Sequence, residues 1–297
     1  MPQGNHNGTT NEVAVNQESK SLKQNAYQDR QPRLRSRLFV VGVVTLATVL
    51  AMAVVPPIPQ NAAYHDFADR RELLGVPNFL NVISNLGFLL AGGLGLFFVA
   101  GPGARNRFLH QSERWPYVIF FIGVALTCVG SAYYHLVPSN QRLMWDRLPM
   151  SIAFVSLLSA CIAERINLKI GLAALPFLLL VGTGSVVYWR LSEQSGTGDL
   201  RLYILVQFYS ALAIAMVTAL FPATYTRGGE LALAILFYAV AKVFELLDSQ
   251  VYNLTGIVSG HTLKHFTAAI SVWFILHMLK HRSPRSDYPE LNSAAAA

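Results

Sequence analysis

Five polar residues in three short segments have the types and spacing of a hydrolytic metal site. They are Ser131, His135, Asp146, His261 and His265. The serine and the first histidine are four residues apart, as are the last two histidines, so each pair lies on one face if its segment is helical. Three neutral imidazoles can bind a catalytic zinc ion and leave a fourth position for water. The spacing therefore predicts a zinc site, provided that the fold brings the segments together.

The serine and the aspartate would supply the other groups that hydrolysis needs. Zinc lowers the pKa of a bound water to about 7. Asp146 could orient that water or take its proton, and the Ser131 hydroxyl could donate a hydrogen bond to the oxyanion that forms at an attacked carbonyl. This set predicts hydrolysis of an amide or an ester.

Each of these residues also has a structural interpretation. A histidine in a membrane helix commonly hydrogen-bonds to a neighbouring helix, Ser131 could pack between helices, and Asp146 could cap the start of a helix. The repeated spacing of four favours the metal site. The remaining histidines are interpreted as structural or solvated: His6, His65, His110, His277 and His281.

The composition predicts that these segments lie in a membrane. Hydrophobic residues make up 53% of the 297 residues and charged residues only 13%, whereas a soluble domain has about 25% charged residues. The formal net charge of +7 could indicate a nucleic-acid partner. The basic residues, however, lie in short loops and in the N-terminal segment, where they serve as topology signals. We therefore expect a polytopic membrane protein that binds no nucleic acid.

Eight apolar runs of about the length that crosses a bilayer predict an all-α integral membrane fold. They cover roughly 38–55, 80–100, 117–136, 148–164, 168–188, 202–221, 231–250 and 261–280. Residues 1–37 are polar and without a hydrophobic period, which predicts a disordered tail. Residues 282–297 are expected to form a short polar tail.

The Lys and Arg residues that flank the runs predict the orientation in the membrane. They are concentrated on the side of the N-terminal segment, which is therefore expected to be cytoplasmic. With eight spans, both termini are cytoplasmic and the five polar residues meet near the outer face. A lipid whose head-group linkage lies at that depth is the natural substrate. A bacterial inner membrane is favoured, and an endoplasmic reticulum or Golgi membrane is the alternative.

The seventh run contains three ionisable residues at a spacing of three: Lys242, Glu245 and Asp248. Charged residues inside a span usually face the interior of the bundle, and the first two can pair on one helix face. The set is either a neutralised structural pair or a network beneath the metal. Lys264, between the two C-terminal histidines, is expected to point elsewhere on its helix and to extend to the membrane surface.

The loop before the second run contains clustered oxygen donors, among them Asp66, Asp69 and Asn78. Such donors could bind a hard cation such as calcium. A solvated acidic loop is the alternative.

Together, these motifs resemble those of the alkaline ceramidase family, in the CREST superfamily of seven-helix membrane hydrolases. The family pattern of a serine and histidine four apart, a following aspartate and a C-terminal HxxxH pair is matched by Ser131, His135, Asp146, His261 and His265. Asn81, Ser84 and Asn85 are similar to an asparagine–serine–asparagine stretch of the first core helix. The resemblance covers roughly residues 64–280.

The resemblance implies a seven-helix hydrolase domain over 64–281, with 38–58 as an extra N-terminal transmembrane helix. It implies a zinc enzyme that cleaves the amide of ceramide to a sphingoid base and a fatty acid. Acidic residues bind calcium in animal members; Asp66 and Asp69 look similar, and Asn78 stands where the family has a glutamate. The ionisable set of the seventh run lies outside the family pattern, and members of the wider group act on other lipids.

Three other functions are compatible with parts of the pattern. A receptor or sensor would keep zinc as a structural element. A haem-binding electron carrier would need histidines paired across the membrane, which clustering at one end disfavours. A retinal protein would use Lys242, and nothing else in the sequence supports it.

Overall fold

The computed structural model describes residues 32–286, and over this range the chain forms helices and two isolated β-bridges but no strand. The longer elements are α1 (Pro32–Val54), α2 (Phe79–Ile83), α3 (Leu86–Ala100), α4 (Arg114–Leu136), α5 (Asn140–Arg165), α6 (Leu168–Gln194), α7 (Arg201–Leu220), α8 (Gly229–Leu246), α9 (Asp248–Thr255) and α10 (Gly260–His281). Short 3-10 helices cover Ala62–His65, Pro102–Arg107 and Gln111–Glu113. Within the described range, the chain divides into two compact units between Ala47 and Thr48, and the candidate site lies in the second.

Seven helices of the described range are long and apolar enough to cross a membrane. They are α1, the nearly continuous pair α2 and α3, α4 with the short turn before it, and α5, α6, α7 and α10. The prediction of a multi-pass helical membrane protein is therefore confirmed. The eighth predicted span stays a prediction, because α8 is a helix of 18 residues that carries the three charged residues Glu230, Lys242 and Glu245.

Two predicted helix starts were wrong. α5 begins at Asn140 rather than near 148, because the Ser139 side chain accepts a hydrogen bond from the backbone N–H of Arg142 and caps the helix. α1 begins at Pro32, inside the segment predicted to be a disordered tail. The rest of that tail, residues 1–31, and residues 287–297 of the predicted C-terminal tail lie outside the described range.

The seventh predicted run also ends earlier than expected. α8 stops at Leu246, and Asp248 begins the separate helix α9. The prediction that Asp248 lies in the same span as Lys242 and Glu245 was therefore wrong.

Two glycines allow the close helix contacts that position the site. At Gly130 of α4, a Cβ atom would overlap the backbone carbonyl oxygen of Trp145 in α5. At Gly260, the first residue of α10, it would overlap the carbonyl oxygen of Phe244 in α8. These contacts bring the end of α4 against the beginning of α5, and the beginning of α10 against the end of α8. We call this end of the bundle the site end.

The segment between α1 and α2 packs over the site end. Phe67 of this segment belongs to a buried hydrophobic cluster with Tyr134, Leu143, Val186, Trp189, Leu200 and Tyr203. The segment is held by backbone hydrogen bonds, including one of 2.8 Å from the N–H of Leu200 to the carbonyl of Ile58. Apolar burial of this kind stabilises the folded state by about 25 cal/mol for each Å² removed from water.

Candidate metal centre

The three predicted histidine ligands meet at the site end. His135 is the penultimate residue of α4, and His261 and His265 lie in the first two turns of α10. Their candidate ligand atoms all lie within 4.8 Å of one another, and the Nε2 atoms of His135 and His261 are 3.2 Å apart. All three side chains are buried. The prediction that these segments come together is confirmed.

The histidine cluster fits a zinc ion. Two nitrogens bound tetrahedrally to one zinc at about 2.05 Å would be about 3.3 Å apart, close to the separation of the His135 and His261 nitrogens. The Nδ1 atom of His135 is buried and has no hydrogen-bond partner in the described part of the chain. Three buried imidazoles that face one another are a donor set suited to a transition metal such as zinc.

Hydrogen bonds from neighbouring elements orient the cluster. The Ser84 hydroxyl lies 2.7 Å from Nδ1 of His265, which leaves Nε2 of that ring for a metal. Asn78 donates to the backbone carbonyl of His135 over 2.8 Å. Asp248 accepts from the backbone N–H of His261 at 2.7 Å, at the start of α10. Asp248 is thus linked to the site through the backbone, although it lies outside α8.

The break between α2 and α3 makes the contact with Ser84 available. The helix is interrupted at Ser84 and Asn85, where the side-chain amide of Asn85 donates to the backbone carbonyl of Asn81 over 2.7 Å. The Asn81 side chain in turn accepts a hydrogen bond of 2.9 Å from the Thr262 hydroxyl of α10. The asparagine–serine–asparagine stretch therefore ties α2 to α10, the helix that carries two of the three histidines.

Two phenylalanine rings pack against the histidine cluster. The Phe67 ring centroid lies 4.7 Å from that of His135 and 4.5 Å from that of His261. The Phe88 ring lies 6.0 Å from His265. These apolar neighbours keep bulk water away from the candidate ligands.

The predicted catalytic pair lies beside the cluster. Asp146 is in the second turn of α5, and its carboxyl is within hydrogen-bonding reach of the Ser131 hydroxyl on α4. Both side chains are buried. The alternative that Asp146 caps the helix was wrong, because Ser139 is the capping residue.

A cavity of about 260 Å³ extends from this pair into the bundle. Ser131, Asp146 and His265 line it at the site end. Most of the remaining wall is apolar, with side chains from six helices that include Phe88, Phe120, Leu157, Ile214, Leu231 and Ile275. Its mostly apolar lining suits a ligand with a hydrocarbon portion.

The predicted pair of Lys242 and Glu245 forms an ion pair on α8, and both side chains line the cavity. A third residue joins them. The Lys264 ammonium lies 2.6 Å from the Glu245 carboxylate and also lines the cavity, so the expectation that it points towards the membrane surface was wrong. Lys264 follows His261 by three residues, and this spacing could have placed it on the face of the ligands.

Arg147 also lines the cavity. The sequence analysis did not predict this, because it used Arg147 only as one of the basic residues that indicate orientation in the membrane. Its side chain is 4% exposed. The guanidinium lies 4.3 Å from the Trp189 ring and 4.6 Å from the Tyr203 ring, and it donates to Gln60 over 2.6 Å. A guanidinium held between aromatic faces is stabilised by cation–π attraction.

The three residues predicted as calcium ligands are engaged in different interactions. Asp66 is exposed and pairs with Arg70 at 2.8 Å. Asp69 accepts two hydrogen bonds from the Arg71 guanidinium, which lowers the pKa of the Asp69 carboxyl. The Asn78 amide nitrogen donates to His135, as described above. No contact of these side chains supports a shared cation site, so calcium binding stays a prediction.

The chain matches no protein-family model, and a search of curated proteins gives no match. The resemblance to the alkaline ceramidases therefore remains a prediction from the motifs. The geometry supports a coarser statement: the chain is a helical membrane protein with a buried three-histidine cluster that could bind a metal ion such as zinc.

Proposed function

We propose that this protein is a zinc-dependent membrane hydrolase that cleaves the amide bond of ceramide or a related lipid, releasing a sphingoid base and a fatty acid. The observation that carries the proposal is the junction of two features. A buried three-histidine cluster adjoins a mostly apolar cavity, and a carboxyl and a hydroxyl lie at that junction. A hydrolytic metal site facing a hydrocarbon cavity suits a lipid substrate.

Each residue has a distinct role in this proposal. His135, His261 and His265 would bind the zinc ion, which supplies Lewis acidity and makes hydroxide accessible near neutral pH. Asp146 accepts a proton from the attacking water and donates it to the leaving amine as the C–N bond breaks, and the Ser131 hydroxyl beside it donates to the oxygen of the attacked carbonyl. The apolar cavity binds the hydrocarbon chain of the lipid.

The choice of an amide, and of ceramide in particular, comes from the family resemblance, and a different lipid amide or ester is the alternative. The distribution of basic flanking residues supports an orientation with both termini cytoplasmic and the site near the outer face. The short loops favour a bacterial inner membrane, and an endoplasmic reticulum or Golgi membrane is the alternative.

Zinc content and lipid turnover, measured together in detergent, test this function. We expect wild type to contain about one zinc per chain and to hydrolyse ceramide, and we expect His265→Ala to lose both properties. His277→Ala is the matched control: His277 lies further along α10 and pairs with Glu230 at 2.9 Å, so its loss should change neither.

Two results would contradict the proposal. A folded wild-type protein that takes up no zinc would remove the metal site and every role assigned through it. Zinc without hydrolysis of any lipid amide or ester in a broad panel would instead indicate a structural metal in a receptor or sensor.

A further inference from the structure

The cavity wall carries more positive than negative charge near the histidine cluster. Its ionisable residues, apart from His265 and the tyrosines, are three cations and two carboxylates: Arg147, Lys242 and Lys264, and Asp146 and Glu245. The rest of the lining is mostly apolar. Charges in such surroundings are costly unless they are paired. The surplus of one cation therefore requires an explanation.

The three cations belong to one group of interacting side chains, which we call the cationic cluster. Both lysines bond to the same carboxylate, Glu245. The Tyr64 hydroxyl donates to that carboxylate over 3.3 Å, and the Tyr64 ring lies 5.5 Å from the Arg147 guanidinium. The ammonium of Lys264 also interacts electrostatically with Asp146. The cluster thus reaches the candidate proton acceptor.

In the described part of the chain, several hydrogen-bond donors of the cationic cluster have no acceptor. Each ammonium has three N–H donors, and within the described range the hydrogen bonds of Lys242 and Lys264 go to Glu245 alone. The Nη1 atom of Arg147 is buried and has no partner there. A bound group rich in acceptor oxygens and carrying negative charge would satisfy both the donors and the surplus charge.

We propose that the cavity binds an amphiphile whose polar end is anionic, a carboxylate or a phosphate, and that Lys242, Lys264 and Arg147 contact it. This inference rests on the proposed function, of which it names the substrate class: an anionic lipid is hydrolysed in preference to its neutral counterpart. The apolar wall receives the hydrocarbon chain, and the cationic cluster selects the head group.

Two matched substrate pairs test the charge preference. N-palmitoylglycine and N-palmitoylethanolamine differ in a carboxylate, and ceramide 1-phosphate and ceramide differ in a phosphate. We expect wild type to favour the anionic member of at least one pair by about tenfold in kcat/KM, the factor that one hydrogen bond to a charged group typically contributes. The pair that shows the preference identifies the anion.

Variants of Lys242 assign the preference to the cluster. Lys242→Gln should reduce the ratio of anionic to neutral kcat/KM about tenfold, and Lys242→Arg, which keeps the charge, should largely restore it. Glu245 keeps Lys264 as a partner in both variants. Lys169→Gln removes an exposed cation at the start of α6 and should leave the ratio unchanged. If the Lys242 variants do not fold, the wild-type ratio alone decides.

Equilibrium binding of the same radiolabelled lipids to zinc-depleted protein separates this inference from the proposed function. Hydrolysis without any preference for an anionic lipid would overturn the inference and leave the function standing. Absence of hydrolysis, with tighter binding of an anionic lipid that Lys242→Gln abolishes, would overturn the function and support the inferred ligand class. Neither hydrolysis nor selective binding would overturn both.

Discussion

At the scale of single residues, the hydroxyl of Ser84 fixes the ring of one candidate zinc ligand. It lies 2.7 Å from Nδ1 of His265 and is itself buried at the break between α2 and α3. A partner of this kind holds a ligating imidazole in one orientation and one tautomer. The strength of metal binding should therefore depend on a residue that never touches the metal.

Removal of this hydroxyl should weaken zinc binding without unfolding the protein. We expect Ser84→Ala to lower zinc affinity about 10- to 100-fold, measured by competition with a chelator. Thr183→Val is the control, since the Thr183 hydroxyl bonds only within its own helix. Equal zinc affinity in Ser84→Ala and wild type would show that the hydrogen bond does not orient a ligand.

Asp146 should be needed for turnover but not for zinc. Its carboxyl is placed beside Ser131 rather than among the imidazoles. We therefore expect Asp146→Asn to retain zinc and to lose about two orders of magnitude or more in kcat. Glu72→Gln, at an exposed carboxyl, provides the matched control. An Asp146→Asn protein with wild-type turnover would exclude the proton-transfer role.

At the scale of elements, the site depends on how closely α4 approaches α5. The backbone of Trp145 occupies the space where a side chain at Gly130 would begin. This contact sets the distance between Ser131, which follows Gly130 on α4, and Asp146, which follows Trp145 on α5. The glycine is thus a positioning residue that acts through helix packing.

A methyl group at this contact should force the two helices apart. We expect Gly130→Ala to lower the free energy of unfolding by about 1–3 kcal/mol and to lower kcat. Gly93→Ala is the control, because a Cβ atom at Gly93 meets nothing within 4 Å, and alanine is the better helix former. The measurements are thermal unfolding in detergent and lipid turnover. Equal thermal stability of Gly130→Ala and wild type would contradict the packing argument.

Asp248, at the start of the short helix α9, also supports the site. Its two carboxylate oxygens accept from the backbone N–H groups of His261 at 2.7 Å and Ala68 at 2.9 Å. One side chain at the start of α9 therefore ties the ligand helix to the segment that carries Phe67. This link joins the histidine cluster to the segment whose Phe67 ring packs against it.

At the scale of the whole molecule, two buried aspartates in loops should make the free energy of unfolding decrease at acidic pH. The guanidinium of Arg201 lowers the pKa of Asp199 to about 2, and that of Arg71 lowers the pKa of Asp69. An unfolded aspartate has a pKa near 3.9, so the unfolded chain binds more protons in this range. The stabilisation is complete above that value and is lost as the pH falls towards 2.

The Asp199 pair allows this pH dependence to be tested. Between pH 5 and 2, wild type should lose stability relative to Asp199→Asn, by on the order of 1 kcal/mol after allowance for screening by solvent. Thermal unfolding in detergent across this range measures the difference. The control, Asp66→Asn, should lose stability to the same extent as wild type. A constant difference between wild type and Asp199→Asn from pH 5 to 2 would contradict the assigned cause.

The sequence by itself determined the class of fold and the composition of the histidine cluster. Hydropathy over about twenty residues and the spacing of four in the two histidine-containing pairs are local properties, and the chain carries them before it folds. The helical membrane character and the meeting of His135, His261 and His265 could therefore be predicted. The lipid specificity came only from resemblance and stays a prediction.

Only the tertiary structure decided where the long charged side chains lie. Lys264 turns into the cavity because Glu245 of another helix lies there, and Arg147 is buried because aromatic residues distant in sequence surround it. Both positions depend on which helices are neighbours, and long-range packing sets that arrangement rather than any spacing along the chain.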